Sequence, residues 1–131
     1  MKRNYQSEYT GQLLQEKVNG VLILEEFTYV KGLKGLYEVS NFGRIYSLKR
    51  KVFKTPTIDK GGYPRIMLYG PKKRTNSRLH RIVCENFYPQ PKDKKEVNHK
   101  FGEKLDCRAW NLEWSSRSDN MKHAWRTGLR K

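Results

Sequence analysis

One histidine and two asparagines in the C-terminal third of the sequence have side chains suited to phosphodiester chemistry. Asn98 and His99 are adjacent, and Asn111 follows twelve residues after His99. An imidazole near its ordinary pKa accepts a proton at neutral pH, so His99 could activate a water molecule. Asparagine supplies an amide oxygen, and Mg²⁺ takes oxygen ligands from protein, water and phosphate. Taken alone the pattern is weak, because a single histidine near a turn is more often structural or solvated.

The surrounding sequence predicts the strands that would hold these three residues. The segment EVNHK indicates a short strand, residues 101–104 a turn, and NLEWSS a second strand. If the two strands pair, Asn111 returns beside the first strand. Neighbouring residues alternate across a strand, so Asn98 points to the opposite side from His99 or toward a bend.

Two helices are predicted, one before and one after this strand pair. Apolar residues at one-face spacing predict a helix over Leu79–Tyr88, which Pro89 ends because proline cannot continue the hydrogen-bond ladder. The second helix is predicted from about residue 117 to residue 126. Ser116 is its N-cap, and Gly128 is a natural stop.

Short strands are predicted between residues 27 and 69. GLYEVSNFGRIYSL indicates two strands around a turn in which Gly43 adopts a positive φ. KVFKTPTI and YPRIMLY flank a second turn at residues 59–62. Pro56 and Pro64 predict edge strands here, because proline cannot donate a hydrogen bond to a neighbouring strand.

Residues 1–26 carry no predicted chemistry. Asn19-Gly20 between two apolar segments is a strong signal for a β-hairpin. The alternative is a short helix over residues 11–18 that stops at Gly20. The first ten residues are expected to be loose.

The charge of the chain indicates a polyanionic partner. Its 131 residues include 28 Lys and Arg against 13 Asp and Glu, which leaves a formal net charge of +15. Such an excess repels itself unless a polyanion relieves it, and nucleic acid is the usual partner. Aromatic residues at 12% favour a folded nucleic-acid-binding domain over a purely electrostatic tail.

Basic residues interleave with the predicted strands, and a twisted antiparallel ribbon that carries them suits a DNA groove. A solvated surface is the plain alternative. His80 could touch a phosphate or pack against the fold. The predicted DNA-binding residues are Arg44, Lys49, Arg50, Lys51, Lys54, Arg65, Lys72, Lys73, Arg74, Arg78, His80 and Arg81.

The cysteines and apolar segments argue against a zinc ribbon and against a membrane protein. Cys84 and Cys107 lack the paired spacing of zinc ligands, so two free thiols in a reducing compartment are expected. The longest aliphatic run, residues 21–24, is far too short to span a bilayer. No apolar block follows the basic pair near the N-terminus, so we predict a cytoplasmic protein without a signal peptide.

Three segments, in order, resemble the HNH endonucleases, the ββα-metal group that includes phage and intron homing enzymes. VNHKFGEKLDCRAWNLEW resembles their core, LHRIVCENFYPQP the helix before it, and GLYEVSNFGRIYSL the β-rich DNA-binding motif often attached to homing nucleases. The resemblance covers roughly residues 27–128. It implies an α+β fold with an N-terminal extension over 1–26, an antiparallel β-rich DNA-binding portion over 27–76, and a ββα-metal nuclease finger over 77–131.

The resemblance also implies roles for individual residues. His99 would be the general base and Asn111 a metal ligand. Asn98 occupies the second ligand position, where better-known homing enzymes have Asp, and a neutral amide holds a dication less tightly than a carboxylate. His123, on the last predicted helix, is a candidate third ligand or a helix-surface residue. Phe101 and residues 106–107 depart from the usual pattern and are expected to shape the loop.

The function implied is hydrolysis of double-stranded DNA with Mg²⁺, or another divalent cation such as Mn²⁺. A single metal ion is expected because the ligand set is sparse. The expected partner is duplex DNA, with no membrane or small-molecule cofactor. The chain is expected to act as a monomer or homodimer, in the host cytoplasm if phage-encoded.

The alternatives are a non-catalytic DNA-binding protein that keeps the fold and an RNA-binding protein. Because no C-terminal helix-turn-helix is visible, we expect short or relaxed site specificity.

Overall fold

The structure is a computed structural model that describes residues 5–119. Its strands are β1 (Gln15–Val18), β2 (Val21–Leu24), β3 (Phe27–Tyr29), β4 (Tyr37–Ser40), β5 (Ile45–Ser47), β6 (Val52–Phe53), β7 (Thr57–Ile58), β8 (Pro64–Tyr69), β9 (Arg74–Arg78), β10 (Glu96–His99) and β11 (Leu112–Ser115). The helix α1 (Leu79–Phe87) lies between β9 and β10, and a 3-10 helix (Ala109–Asn111) leads into β11. The fold class is α+β, as the sequence predicts.

All strand pairs in the described part of the chain are antiparallel. β1 pairs with β2 and β10 with β11, while β3 to β6 form one sheet in chain order and β7 to β9 another. The hairpins follow from local turn residues. At the turn between β4 and β5, Gly43 has a φ of 86°, where a Cβ would lie 3.0 Å from the carbonyl oxygen of Cys107. The prediction of a positive φ at Gly43 is therefore confirmed, and the turn packs against the loop before β11.

The N-terminal segment forms a hairpin, so the helix alternative is wrong. Asn19 and Gly20 have φ values of 50° and 80°, which fits a tight two-residue turn that matches the twist of the strands. The expectation that the first ten residues are loose is wrong for residues 5–10. The ring of Tyr9 lies 4.8 Å from that of Phe27, and Ser7 donates a hydrogen bond to the buried carboxylate of Glu38.

The core forms where α1 packs on the sheets. Ile82 and Val83 on α1 are buried with Val39 of β4, Ile66 of β8 and Leu112 of β11. Burial of such aliphatic side chains contributes about 1.5–3 kcal/mol each. Residues before and after β9 thus contribute to one core. This shared core anchors β10 and β11 to the β-rich portion.

Two predictions about β8 and its neighbour need correction. β8 is the central strand of its sheet, not an edge strand, and Pro64 is tolerated because it is the first residue of that strand. The strand β9 was not predicted, because its sequence RTNSR lacks apolar alternation. The boundary predicted between residues 76 and 77 falls within β9, and the domain division remains a prediction.

The C-terminal helix begins where predicted. The Oγ atom of Ser116 accepts a hydrogen bond from the backbone N–H of Asp119 at 3.1 Å, so Ser116 is the N-cap. The rest of that predicted helix, including His123, lies outside the described residues. Within residues 5–119, no helix has the length and apolar character needed to cross a lipid bilayer.

Candidate active site

His99 is the last residue of β10 and is buried, with 6% of its surface exposed. The register pairs Asn98 with Glu113 and His99 with Leu112. Directly opposed residues share a face of the ladder and neighbouring residues alternate. The ladder thus places Asn98 beside Glu113, and His99 ends the strand where the chain enters a turn.

Two rings from distant parts of the chain pack near His99. The ring centroid of His80, on the first turn of α1, lies 4.6 Å from that of His99. The ring of Tyr63, in the turn before β8, lies 5.3 Å from His80 and 5.9 Å from His99. The three rings form what we call the ring cluster.

His80 is the most strongly perturbed base in this part of the molecule. It is 7% exposed, and its Nδ1 atom has no hydrogen-bond partner among the described residues. Burial lowers the pKa of His80 to about 3, and electrostatic interactions with His99, Arg78 and Arg81 act in the same direction. His80 is therefore a neutral imidazole at pH 7.

Tyr63 is held between two cations. The guanidinium of Arg78 lies 4.1 Å from the ring centroid and the Lys104 ammonium 5.0 Å from it. Lys104 also donates a hydrogen bond to the carbonyl of Gly61 at 2.9 Å, which ties the loop after β10 to the turn before β8. Cation–π contacts of this kind fix the plane of an aromatic ring.

Asp59 organises the turn that carries Tyr63. Its Oδ1 atom accepts the backbone N–H groups of Gly61 and Tyr63, and its Oδ2 atom accepts Nε donors from Arg65 and Arg78. The hydrogen bond from the Tyr63 backbone, with those from the two arginines, holds the pKa of Asp59 well below its usual range. Asp59 is thus ionised and fixes both guanidinium groups.

These arginines line a cavity of about 590 Å³ beside the ring cluster. Its basic residues are Arg65, Arg78 and Arg81, and it also contains His80 and Tyr63. The full lining is Tyr63, Arg65, Asn76, Ser77, Arg78, His80, Arg81, Glu96 and Val97. Tyr63 and His80 therefore line the cavity and also pack near His99.

Asn98 is 7% exposed and its amide is oriented by a carboxylate. The Nδ2 atom donates a hydrogen bond to Oε2 of Glu113 at 2.9 Å. Because the amide nitrogen is used in this way, the Oδ1 atom is the one that can serve a cation. The Glu113 carboxylate therefore lies beside the amide nitrogen of Asn98.

Asn111 has the same arrangement. It ends the 3-10 helix, is 9% exposed, and donates Nδ2 to Oδ2 of Asp106 at 2.6 Å. Hydrogen bonds from Arg108 lower the pKa of Asp106, and an electrostatic interaction with His99 acts in the same direction. Asp106 therefore interacts with His99 as well as with Asn111.

The donor set fits a weakly held hard cation. Among residues 5–119, no group of three or more His, Cys, Asp or Glu side chains is placed to hold a metal ion. Two amide oxygens from Asn98 and Asn111, each backed by a carboxylate, suit Mg²⁺ or Mn²⁺ completed by water and phosphate. The candidate ligand His123 lies outside the described residues.

The predicted DNA-binding residues fall into different environments. Those in the turns after β5 and β8 are exposed, whereas Arg44 is ion-paired with the buried Glu25 and lies 4.1 Å from the ring of Phe53. Lys54 lies 5.2 Å from the ring of Tyr69. The exposed members are Lys49, Arg50, Lys51, Lys72, Lys73 and Arg74.

Five residues near the candidate site were not identified from the sequence. They are Asp59, Tyr63, Lys104, Asp106 and Glu113. The alternation of β11 would have placed Glu113 beside Asn98, and Asp106 was noted only as a departure in the loop. Asp59 was recognised only as part of the turn at residues 59–62, and its contact with Arg78 joins a distant segment. For Tyr63 and Lys104 no local signal exists, because each acts on a segment distant in the chain.

Comparison with known proteins assigns the family. A family model described as HNH endonuclease matches residues 77–122, and one described as the NUMOD4 motif matches residues 25–69. The chain carries an HNH endonuclease domain. The HNH match contains the candidate residues Asn98, His99 and Asn111 and follows the NUMOD4 motif, so the resemblance inferred from the sequence is confirmed.

The relatives of this HNH domain include phage and viral endonucleases. The DNA endonuclease I-HmuI of Bacillus phage SP01 is 34% identical over 98 residues, which are 75% of this chain and 56% of that protein. An HNH endonuclease of Acanthamoeba polyphaga mimivirus is 39% identical over 92 residues, 67% of this chain and 23% of that protein. The chain therefore spans about half the length of the phage relative and about a quarter of the viral one.

The fold agrees with a solved structure described as DNA binding and cleavage by the HNH homing endonuclease I-HmuI. The TM-score is 0.73 at 32% sequence identity, over 81% of this chain and 61% of that one. The match confirms the strand-rich mixed fold predicted for the HNH domain and its preceding motif.

Proposed function

We propose that this chain is an endonuclease that hydrolyses phosphodiester bonds of double-stranded DNA with the help of a divalent cation. The observation that carries the proposal is the position of His99. It packs against Tyr63 and His80, and both of these residues also line the cavity that contains Arg65, Arg78 and Arg81. The proposed proton acceptor therefore lies next to two side chains of a recess that also contains three arginines.

In the proposed reaction His99 is the general base. Its imidazole takes a proton from a water molecule as the water oxygen attacks phosphorus in line with the leaving group. The P–O3′ bond breaks as the new P–O bond forms, and the 3′ oxygen leaves with its electron pair and takes a proton from solvent water. The products carry 5′-phosphate and 3′-hydroxyl ends, as the family resemblance implies.

Asn98 and Asn111 are proposed to hold one divalent cation through their Oδ1 atoms. The bound cation supplies charge stabilisation for the phosphate and the departing oxygen. The carboxylates of Glu113 and Asp106 orient the two amides and place negative charge behind them. Mg²⁺ and Mn²⁺ suit this oxygen-only set, with the remaining ligands from water and the DNA.

DNA is proposed to run from the exposed turns toward the cavity. The lysines and arginines of the turns after β5 and β8 would meet the phosphate backbone, and the arginines of the cavity would position the strand to be cut. Arg44 is the least suited of the predicted contacts, because Glu25 already neutralises it. Each chain would nick one strand, a homodimer would cut both, and the expected place of action is the host cytoplasm.

A non-catalytic DNA-binding protein with the same fold is the second candidate. The neutral side chain of Asn98, in place of an acid, is the observation that favours it, because it weakens metal binding. An RNA-binding function is less well supported. Trp114 is 8% exposed, so it cannot stack on an unpaired base.

A nicking assay on supercoiled plasmid tests the proposal. We expect conversion to the nicked form with Mg²⁺ or Mn²⁺ and none with EDTA. Binding without any cleavage at saturating metal would favour the non-catalytic candidate. Competition by single-stranded RNA stronger than by duplex DNA of equal length would favour the RNA-binding one.

A further inference from the structure

The N-terminal hairpin formed by β1 and β2 lies outside both matched family regions, which begin at residue 25 and residue 77. It packs little apolar surface: Val21, Leu22 and Leu24 are each more than half exposed. One charged residue of the hairpin nevertheless reaches the HNH domain. Glu16, on β1, forms an ion pair with Arg108, in the loop before β11.

Arg108 connects the hairpin to a second carboxylate. Its Nη1 atom donates to both carboxylate oxygens of Glu16, at 2.5 Å each. Its Nε and Nη2 atoms donate to the two oxygens of Asp106, at 2.8 Å each. A guanidinium group is planar and rigid, so contact with two carboxylates fixes its plane and in turn fixes Asp106.

Asp106 passes this constraint to Asn111. A carboxylate has about four acceptor sites. In Asp106 they are taken by three donors from Arg108, including its backbone N–H at 3.3 Å, and by Nδ2 of Asn111 at 2.6 Å. Asp106 is therefore placed to orient Asn111 and not to bind a cation itself.

The orientation of the Asn111 amide follows directly. Its nitrogen is bound to Asp106, and the oxygen of an amide lies on the other side of the carbonyl carbon. Rotation of the side chain by half a turn would place Oδ1 against the Asp106 carboxylate, where two acceptors repel. The hydrogen bond to Asp106, whose carboxylate is fixed by Arg108, thus determines which atom of Asn111 is available to a cation.

We infer that Glu16, Arg108 and Asp106 are positioning residues for Asn111, and that the N-terminal hairpin is thereby a working part of the nuclease site. The inference rests on the proposed role of Asn111 as a metal ligand. It extends the site to a segment that neither family match covers. Glu16 and Arg108 are 39% and 33% exposed, so the effect of Glu16 is smaller than that of Asp106.

The first test observes Asn111 without metal, by the ¹H–¹⁵N signals of its side-chain amide, assigned from their loss in Asn111→Ala. We expect hydrogen exchange of this amide to accelerate in Asp106→Ala and, to a smaller extent, in Glu16→Gln. Lys17→Gln, an exposed neighbour on the same strand, is the matched control and should leave the signals in place.

The second test measures Mn²⁺ affinity by electron paramagnetic resonance on the full chain. Loss of a residue that orients a ligand weakens metal binding about 10–100-fold, which is the range expected for Asp106→Ala. For Glu16→Gln we expect a weakening of about two- to fivefold, because the ion pair is partly exposed to solvent. DNA binding in EDTA should change in neither variant.

The two possible failures can be distinguished. Unchanged Asn111 amide signals and unchanged Mn²⁺ affinity in Asp106→Ala would overturn the inference even if the wild-type protein cuts DNA. A wild-type protein that binds no Mn²⁺ and cuts no DNA would overturn the proposed function, while the amide signals would still report whether Asp106 orients Asn111. If Asp106→Ala changed the Asn111 amide exchange and the Mn²⁺ affinity but Glu16→Gln changed neither, the N-terminal hairpin would have no role in the site.

Discussion

The imidazoles of His80 and His99 lie 4.6 Å apart, centroid to centroid, although one lies in the first turn of a helix and the other ends a strand. Both are more than nine-tenths buried. A buried imidazole resists protonation, and a neighbouring positive charge adds to that resistance. His80 is therefore held in the neutral form near pH 7. His99, at the end of β10, is the proposed general base of the pair.

The buried state of His80 predicts a dependence of stability on pH. The unfolded chain takes up a proton at His80 near pH 6.5, whereas the folded chain resists protonation until about pH 3. Between these values the unfolded state binds more protons, so stability falls as pH decreases. From pH 7.5 to pH 5 the loss from this group is about 2 kcal/mol.

Urea unfolding of the wild type and of His80→Phe at pH 7.5 and pH 5 measures this loss. Phenylalanine keeps a ring in the cluster but cannot be protonated. The free energy of unfolding should decrease less with acid in the variant. An equal decrease in both proteins would show that His80 is not buried as a neutral base.

Tyr63 is expected to act through its ring. Tyr63→Ala removes the surface on which His80 and His99 pack, and loosening a general base by about 1 Å costs on the order of a hundredfold in rate. We expect a fall in kcat of roughly tenfold or more with a small change in KM, whereas Tyr63→Phe stays within about twofold of the wild type. Equal losses in both variants would point instead to the hydroxyl group.

Arg78 is expected to contact a DNA phosphate from the cavity. Removal of one phosphate contact reduces the slope of log affinity against log salt concentration by about 0.9. Fluorescence anisotropy with a DNA duplex in EDTA, over a series of salt concentrations, should show this reduction for Arg78→Ala. Lys17→Ala removes the same charge from the N-terminal hairpin, and an equal reduction there would indicate a general charge effect.

Asn98→Asp should tighten metal binding. Aspartate would place a carboxylate beside Glu113, where the two negative charges repel unless a cation lies between them. We therefore expect a thermal midpoint a few degrees lower without metal, and a metal requirement for cleavage that falls on the order of tenfold. A thermal melt and a Mn²⁺ titration of nicking check both. An unchanged metal requirement would remove Asn98 from the ligand set.

The sequence predicted elements whose signals are local. Asn19-Gly20 favours a tight turn between two strands, and the apolar face of α1 repeats with helical spacing. Strand β9 was missed because RTNSR is nearly all polar and becomes a strand only through pairing with β8. Pro64 led to a wrong prediction for the opposite reason. Proline does disfavour a central strand, but Pro64 is the first residue of β8, where proline is tolerated.

The residues of the candidate site likewise divide into those that have a local signal in the sequence and those that do not. Asn98, His99 and Asn111 were identified because they lie in one motif with a recognisable family resemblance. Tyr63 and Glu16 could not be found in this way, since both lie outside the HNH motif and reach the site only through tertiary contacts. Contacts of this kind depend on tertiary packing, which no spacing in the chain encodes.

The most direct test of the account is a single-turnover cleavage measurement on plasmid DNA with saturating Mn²⁺, comparing the wild type with His99→Ala. Removal of a general base costs about 10²–10⁴-fold in rate. We predict a loss in this range for His99→Ala, with DNA affinity in EDTA unchanged. Cleavage by His99→Ala at the wild-type rate would contradict it.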